Sequence, residues 1–336
     1  MSVLDGGMLT TVQDLGRYGY QRYGVPTSGA VDRFALRAAN RLVGNSDDTA
    51  ALEMTLVGPR IEFLAPATIA LTGADLGARL DGRSLPRWET VTVTPGALLA
   101  LVGAQSGVRG YLALAGGIDV PVVLGSRSTY TRSRLGGIEG RALERGDVLE
   151  IVGTRPVLLG GRLMLPAGSQ PTYPQEHLLR VVLGPQDDRF TAHGLRTFLS
   201  SAYTVTAQSD RMGYRLAGPA IEHSRGPDIV SDGTPFGAVQ VAGDGAPIVL
   251  LADRGTAGGY TKIATVISVD ISRLAQAAPD DTVRFEAVTV ADAHDALRAQ
   301  EEVLRRIGVP TAARPADRLR KVAAAVATVA GVLDSR

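Results

Sequence analysis

The chain has 336 residues, 45% of them hydrophobic, enough to bury the cores of two domains or of one large one. Its 35 basic residues nearly cancel its 34 acidic ones, so neither a nucleic-acid nor a membrane surface is implied. The lack of cysteine excludes thiol nucleophiles, disulfides and thiolate metal sites.

The segment Met1–Val12 has no basic region followed by an apolar core, and the longest apolar run, Val322–Leu333, is shorter than the ~20 residues of a spanning helix. The expected compartment is therefore the cytoplasm. Forty glycines and eighteen prolines beside 5% aromatics suit short strands and tight turns better than long helices.

Met8–Val12 predicts a short strand, followed by a polar, glycine-punctuated loop, Gln13–Pro26, that carries Asp14 and Arg17. Ser28 or Asp32 can cap a helix running to about Val43, where Gly44-Asn45 ends it. From Ala51 to Val102, short apolar runs alternate with turn residues about every ten positions, the spacing of an all-β sandwich or barrel. Tyr111–Ala115 adds another strand. Gly125–Gly140, with Arg127, Arg132 and Arg134 among hydroxyls and glycines, is a candidate anion-facing loop. A Pro- and Gly-rich linker follows, taken as residues 156–176 between domains at 1–155 and 177–290. Leu178–Leu183 opens the second domain, Asp188–Ser201 has the spacing of a short helix, and Val283–Val290 is a closing strand. Ala291–Ile307 and Arg314–Leu333 read as terminal helices within 291–336.

An internal repeat orders these elements. Shifting the chain by 160 residues aligns Leu56–Ala78 with Leu216–Ala238 without a gap, with nine identities in 23 positions. A shift of 149 aligns Gly96–Ala115 with Gly245–Ala264, so the first copy holds eleven extra residues, expected as an enlarged hairpin near Asp81–Pro95. The copies differ in charge: Asp232 faces Thr72, Asp253 faces Ala104, Lys262 faces Ala113 and Arg254 faces Gln105. Charges absent from one copy are not expected to be needed for the fold, which makes the second copy, built on the meander Asp228–Asp270, the chemically loaded one.

Neither common phosphate-cradling glycine loop is present, and the four histidines show no i, i+4 pair, so no metal site is expected. Three constellations remain. Ser231-Asp232-Gly233-Thr234-Pro235 is either a plain turn or part of a site. Asp253, Tyr260 and Lys262 flank a glycine-rich break, and a lysine aimed inward can hold developing negative charge on an oxygen or act as a base. Arg211 and Arg215, four apart, would share a strand face and bind a carboxylate or phosphate, unless both face solvent.

The runs GGMLTTVQDLGRYGYQRYGVPTSGAVDRFALRAANRLVGN, TGADL, GSRSTY and SDRMGYRL…DIVSDGTPFGAVQV…ADRGTAGGYTKIATVI resemble the carboxyltransferase subunit family variously called allophanate hydrolase subunit 2, sporulation-kinase-inhibitor antagonist and 5-oxoprolinase C-subunit. They also resemble part of the carboxyltransferase region of urea carboxylase. The resemblance covers roughly Gly6 to Val290 and implies a mainly β fold of two duplicated cyclophilin-like β-barrel domains with a few peripheral helices. It implies a partner, allophanate hydrolase subunit 1 or the 5-oxoprolinase B-subunit, and in the latter case the 5-oxoprolinase A-subunit too.

An allophanate-hydrolysing amidase would need a Ser-Ser-Lys nucleophile arrangement, which this chain lacks. The expected activity is ATP-dependent opening of 5-oxo-L-proline to L-glutamate, with ATP shared with partner subunits. Lys262, Arg211 and Arg215 would meet the oxyanion, and Asp232 or Asp253 would steer water. Asp232, Asp253 and Lys262 are the expected catalytic residues. Arg211, Arg215, Ser231, Thr234, Tyr260, Asp14, Arg17, Arg127 and Arg132 are the expected substrate-binding ones. The alternatives are a biotin-dependent carboxyltransferase subunit, with biotin carried by another chain, and a regulatory protein that binds a kinase-inhibitor-like partner.

Overall fold

The computed structural model describes residues 1–152 and 162–307. Part of the expected linker (156–161) and the expected helix Arg314–Leu333 lie outside them.

The N-terminal half opens with β1 (Ser2–Asp5) and β2 (Leu9–Gln13), then α1 (Arg33–Leu42) and β3 (Ala51–Thr55). It continues through β4 (Arg60–Glu62), β5 (Ala67–Asp75), β6 (Ala78–Leu80), β7 (Arg83–Ser84), β8 (Thr90–Val93), β9 (Leu98–Leu101) and β10 (Ser106–Leu114), and ends on β11 (Ile118–Asp119) and β12 (Glu150–Ile151). The strands form two five-stranded sheets, ordered β1-β4-β9-β6-β7 and β2-β3-β10-β5-β8. Strand alternation sorts their side chains. Leu52, Met54, Ile69, Leu71, Leu112 and Leu114 fill the core with Ile61, Leu99 and Leu101 of the other sheet. Ala51, Ala70, Tyr111 and Ala113, on the opposite face, pack under Phe34, Ala38 and Leu42 of α1. Asp32 caps that helix as expected, its Oδ1 accepting from Ala35 N at 2.9 Å.

The C-terminal half contains β13 (Glu176–Leu183), α2 (Ala192–Ser200), β14 (Tyr203–Val205), β15 (Gly213–Ala217), β16 (Asp228–Gly233) and β17 (Ala238–Val241). Then come β18 (Pro247–Leu250), β19 (Ala257–Val266), α3 (Ser268–Leu274), β20 (Thr282–Ala287) and α4 (Val290–Arg305). The order β13-β20-β14-β15-β18-β17-β19 closes through a β13–β19 pairing into a seven-stranded barrel, and β16 is added outside β19. Val239, Val241, Val249, Leu216 and Ile263 fill its interior. The mainly β reading therefore holds. No helix among the described residues is long and apolar enough to cross a membrane.

The repeat is visible in strand order: β5, β6, β9 and β10 correspond to β16, β17, β18 and β19. Arg79↔Ala100 in β6–β9 and Val239↔Val249 in β17–β18 are the same register position once the two shifts are applied. The eleven extra residues form the β6–β7 hairpin and lead into β8, which crosses to pair with β5. The wider pairing differs. β10 is bonded to β3 and β5, whereas β19 is bonded to β17, β16 and β13, so the second copy curls into the closed ring.

The halves meet across a buried polar seam. Tyr111 donates to Glu53 Oε2 at 2.6 Å and accepts from Asp32 N at 2.9 Å. Arg109 donates to Tyr214 Oη and Ala275 O, both at 2.6 Å, and Gln276 Nε2 donates to Asp32 Oδ2 at 2.7 Å. Arg37 forks onto both oxygens of Glu301, fastening α4 to α1.

Candidate functional site

Register on the outer wall of the barrel assembles the most coherent polar site. Arg215 of β15 lies opposite Ile248 of β18, Ile248 opposite Gln240 of β17, and Gln240 opposite Lys262 of β19. Partners in register point to one face, so residues far apart in sequence become one row. A β-bulge between Val239 and Gln240 shifts the β17–β19 register, bringing Lys262 rather than Ile263 opposite Gln240.

Over the Arg215, Ile248 and Gln240 part of this row lies a cavity of about 350 Å³, whose polar lining includes Arg132, Asp210, Arg215, Thr234, Arg254 and Tyr260 but not Lys262. Arg132 reaches it from the 125–140 loop of the N-terminal half and pairs with Asp210 at 3.3 Å. Thr234 follows β16, and its carbonyl accepts from Arg254 Nε at 2.7 Å. A side chain at Gly258 would bring a Cβ within 2.7 Å of Gln240 Nε2 and 3.2 Å of Thr234 Cγ2, so a larger residue there would displace the Gln240 amide. Burial, reinforced by the nearby Arg33, lowers the Arg254 pKa to about 10.

Lys262 is 1% exposed, and its ammonium makes no hydrogen bond among the described residues. Its nearest carboxylate is Asp232 Oδ2 at 3.5 Å, on a side chain that remains 60% exposed. A buried cation with an exposed partner is poised to receive a negative oxygen once Asp232 swings or the site closes. Ser231 lies on the same exposed strand, beside Gly259.

Arg132, Arg215, Thr234 and Tyr260 are thus brought together at the cavity, with the Asp232–Lys262 pair on the flanking β16 and β19. Other expected site residues require correction. Asp253 is 5% exposed and ion-paired to Arg211, whose Nε donates to Oδ2 at 2.9 Å, rather than set beside the cavity-lining Tyr260. Arg211 does not share a face with Arg215. It precedes β15 in a turn where Asp210 Oδ1 accepts from Met212 N and Gly213 N, and this turn sends it into the seam. There it also pairs with Glu53 and donates to Gly29 O at 2.7 Å. Burial raises the Glu53 pKa, but Arg211 and Arg109 more than reverse that and hold it below the usual carboxylate range.

Asp14, Arg17 and Arg127 do not line the cavity that holds Arg132 and Arg215, and their polar groups make contacts within the fold. Asp14 accepts from Ser126 Oγ at 2.7 Å and Arg127 N at 2.6 Å, pinning the loop that carries Arg132. Arg17 is fully buried beneath the same loop and donates to Ser128 O, and burial lowers its pKa. The Arg127 side chain donates to Val120 O at 3.0 Å. Arg254 and Gln240 were missed as site residues. The charge difference between the repeat copies flagged Arg254, but only strand register reveals Gln240.

A family model of the carboxyltransferase domain, subdomains A and B, matches residues 23–287. The chain is 37% identical over 317 residues to the 5-oxoprolinase C-subunit of Escherichia coli, covering 91% of this chain and 97% of that one. It is 36% identical over 307 residues to the same subunit of Haemophilus influenzae, with coverage of 91% and 97%. The crystal structure of Kluyveromyces lactis urea carboxylase superposes with a TM-score of 0.84 at 31% identity, over 90% of this chain but 28% of that one.

Proposed function

The chain belongs to the carboxyltransferase-domain family, and from that premise we propose that it is the C-subunit of an ATP-dependent 5-oxoprolinase, opening 5-oxo-L-proline to L-glutamate with partner subunits. The carrying observation is likeness along almost the full length of relatives bearing that name, at 37% and 36% identity.

The reaction makes demands that the site residues can meet. The lactam oxygen attacks the γ-phosphorus of ATP, and its bond to phosphorus forms as the bond to ADP breaks. Water adds to the ring carbon, the C–N bond breaks with a proton delivered to nitrogen, and the resulting acyl phosphate is hydrolysed by a second water. Lys262 is suited to stabilise negative charge on the oxygen attached to the ring carbon. Asp232, exposed and able to leave the ammonium, is suited to orient water. Arg215, Arg254, Thr234 and Tyr260 would hold the substrate, and Ser231 would line its approach. Asp253 and Arg211 would act only by holding the halves in register. ATP would be shared with the partners, homologues of the 5-oxoprolinase A-subunit and B-subunit, the latter related to allophanate hydrolase subunit 1.

A second reading, a carboxyltransferase subunit receiving biotin from another chain, is favoured by the likeness to urea carboxylase. The same cations would then hold carboxybiotin and the acceptor. Reconstitution with the two partner subunits separates the readings: glutamate should form in step with ADP, whereas biotin-dependent carboxylation of a urea-like acceptor would favour the second.

A further inference from the structure

A second cavity, of about 380 Å³, lies at the seam between the halves and shares no lining residue with the one on the barrel wall. Asp32 and Phe34 enter it from the start of α1, Tyr173 from the segment before β13, Glu176 from β13 itself and Ser272 from α3. Asp32 is 1% exposed and is held as an acceptor. Gln276 Oε1 accepts from Val108 N and Arg109 N, both at 2.9 Å, which fixes its amide so that Nε2 donates to Asp32 Oδ2 at 2.7 Å. Ala35 N donates to Oδ1 at 2.9 Å, and the Ser272 hydroxyl also donates to the carboxylate. Three donors leave about one of the four lone-pair positions of an ionised carboxyl open. All three are neutral, whereas a buried carboxylate calls for a cation.

The cations nearby are committed elsewhere. Arg109 donates to Tyr214 Oη and Ala275 O, Arg273 sits 3.6 Å from Asp270, and His177 contacts Asp281 at 3.1 Å. Glu176, exposed at the rim, also has no ion-pair partner among the described residues. The unbalanced charge of the cavity is therefore negative. A further group lacks a partner: the Tyr173 hydroxyl is buried and makes no hydrogen bond among the described residues. A metal ion does not match this lining, since no group of three or more His, Asp or Glu side chains able to hold one exists among the described residues. The space suits an organic ligand instead: at ~30 Å³ per water it equals on the order of a dozen waters, and Phe34, Pro171, Pro174, Leu178 and Val269 give it apolar walls.

We propose that this cavity binds a small primary amine as its ammonium ion, the N–H groups donating to Asp32 and to Tyr173 Oη, with the organic body against Phe34 and the prolines and with Glu176 adding attraction at the mouth. An ammonium meets both needs because it has three donors and no acceptor. Bound there it touches both halves, so binding also stabilises the folded chain.

The test is calorimetric titration of the full-length chain, at neutral pH and constant ionic strength, with benzylamine, its neutral isostere benzyl alcohol, and benzoate. Benzylamine should saturate at one per chain, bind ~10-fold or more tightly than either of the others, and raise the melting temperature as its concentration rises. Asp32→Asn keeps a capping oxygen but not the charge, and should weaken benzylamine by ~10-fold or more. Asp244→Asn, which removes a carboxylate from the exposed turn between β17 and β18, should leave it unchanged. Should Asp32→Asn fail to fold, Tyr173→Phe removes only the unpartnered hydroxyl, should melt as wild type, and should weaken benzylamine by ~5-fold or more. Benzyl alcohol or benzoate binding as tightly as benzylamine would overturn the proposal, because the charge of the ligand would then not be read. So would an absence of saturable binding, equal weakening by Asp244→Asn, or normal binding by a folded Asp32→Asn chain or, in its place, by Tyr173→Phe. None of these readouts uses turnover, so their failure leaves the proposed reaction standing.

Discussion

Arg211 holds both oxygens of Asp253, donating from Nε to Oδ2 at 2.9 Å and from Nη2 to Oδ1 at 3.3 Å, while its Nη1 pairs with Glu53 of the other half. The pair is buried, so removing either partner leaves an uncompensated charge away from water. Asp253→Asn and Arg211→Met are each expected to lower unfolding free energy by ~3–5 kcal/mol. Denaturant midpoints measure this, and near-wild-type stability of both variants would show that the seam does not depend on the pair. This expectation reverses the one drawn from the sequence, where Ala104 facing Asp253 in the repeat suggested a dispensable charge.

Lys262 gives the opposite pattern. Its ammonium is buried without a hydrogen bond among the described residues, so Lys262→Met removes a poorly compensated charge and keeps most of the volume. Stability should be unchanged or slightly higher, while turnover by the reconstituted complex should fall ~100-fold, the scale of losing a transition-state charge partner. Asp232→Asn, at an exposed position, should stay within ~0.5 kcal/mol of wild type and also lose turnover. A large melting loss with normal turnover per folded molecule would remove both residues from the mechanism.

Burial raises the Asp32 pKa from 3.8 to about 6, despite hydrogen bonds from Ala35 N and Gln276. The folded state therefore binds more protons than the unfolded state between those values, and this group's contribution to stability is lost as pH rises through about 6. Asparagine still offers a capping oxygen, so Asp32→Asn should retain the helix cap but not this titration. The stability difference between variant and wild type should move in the variant's favour by about 3 kcal/mol from pH 3.5 to 7. A pH-independent difference would mean that Asp32 titrates normally.

Much of the strand content was legible because alternation and turn residues punctuate it: β2, β13 and β20 fall within a few residues of the expected Met8–Val12, Leu178–Leu183 and Val283–Val290. Pairing was not. Lys262 to Val269 reads as one apolar strand, yet Val266 ends β19 and Ser268 starts α3, since apolar runs of this length fit either state. The four-residue spacing of Arg211 and Arg215 implies a shared face only inside a strand, and the Asp210 turn ends that relation. The repeat pointed to the copy on which the cavity lies but did not show that Asp253 is a buried ion-pair partner, because duplicated segments keep their own backbones and not their neighbours. Arg132 was found from its loop composition, although nothing in the sequence tied that loop to the barrel wall.

The most direct measurement counts products in the complex reconstituted from this chain and the two partner subunits. With 5-oxo-L-proline and ATP, glutamate and ADP should appear together in equal amounts, and both should require this chain and fall with Lys262→Met. Equal rates of glutamate formation with and without this chain, or carboxylation of a urea-like acceptor by a biotin carrier in place of ring opening, would contradict the account.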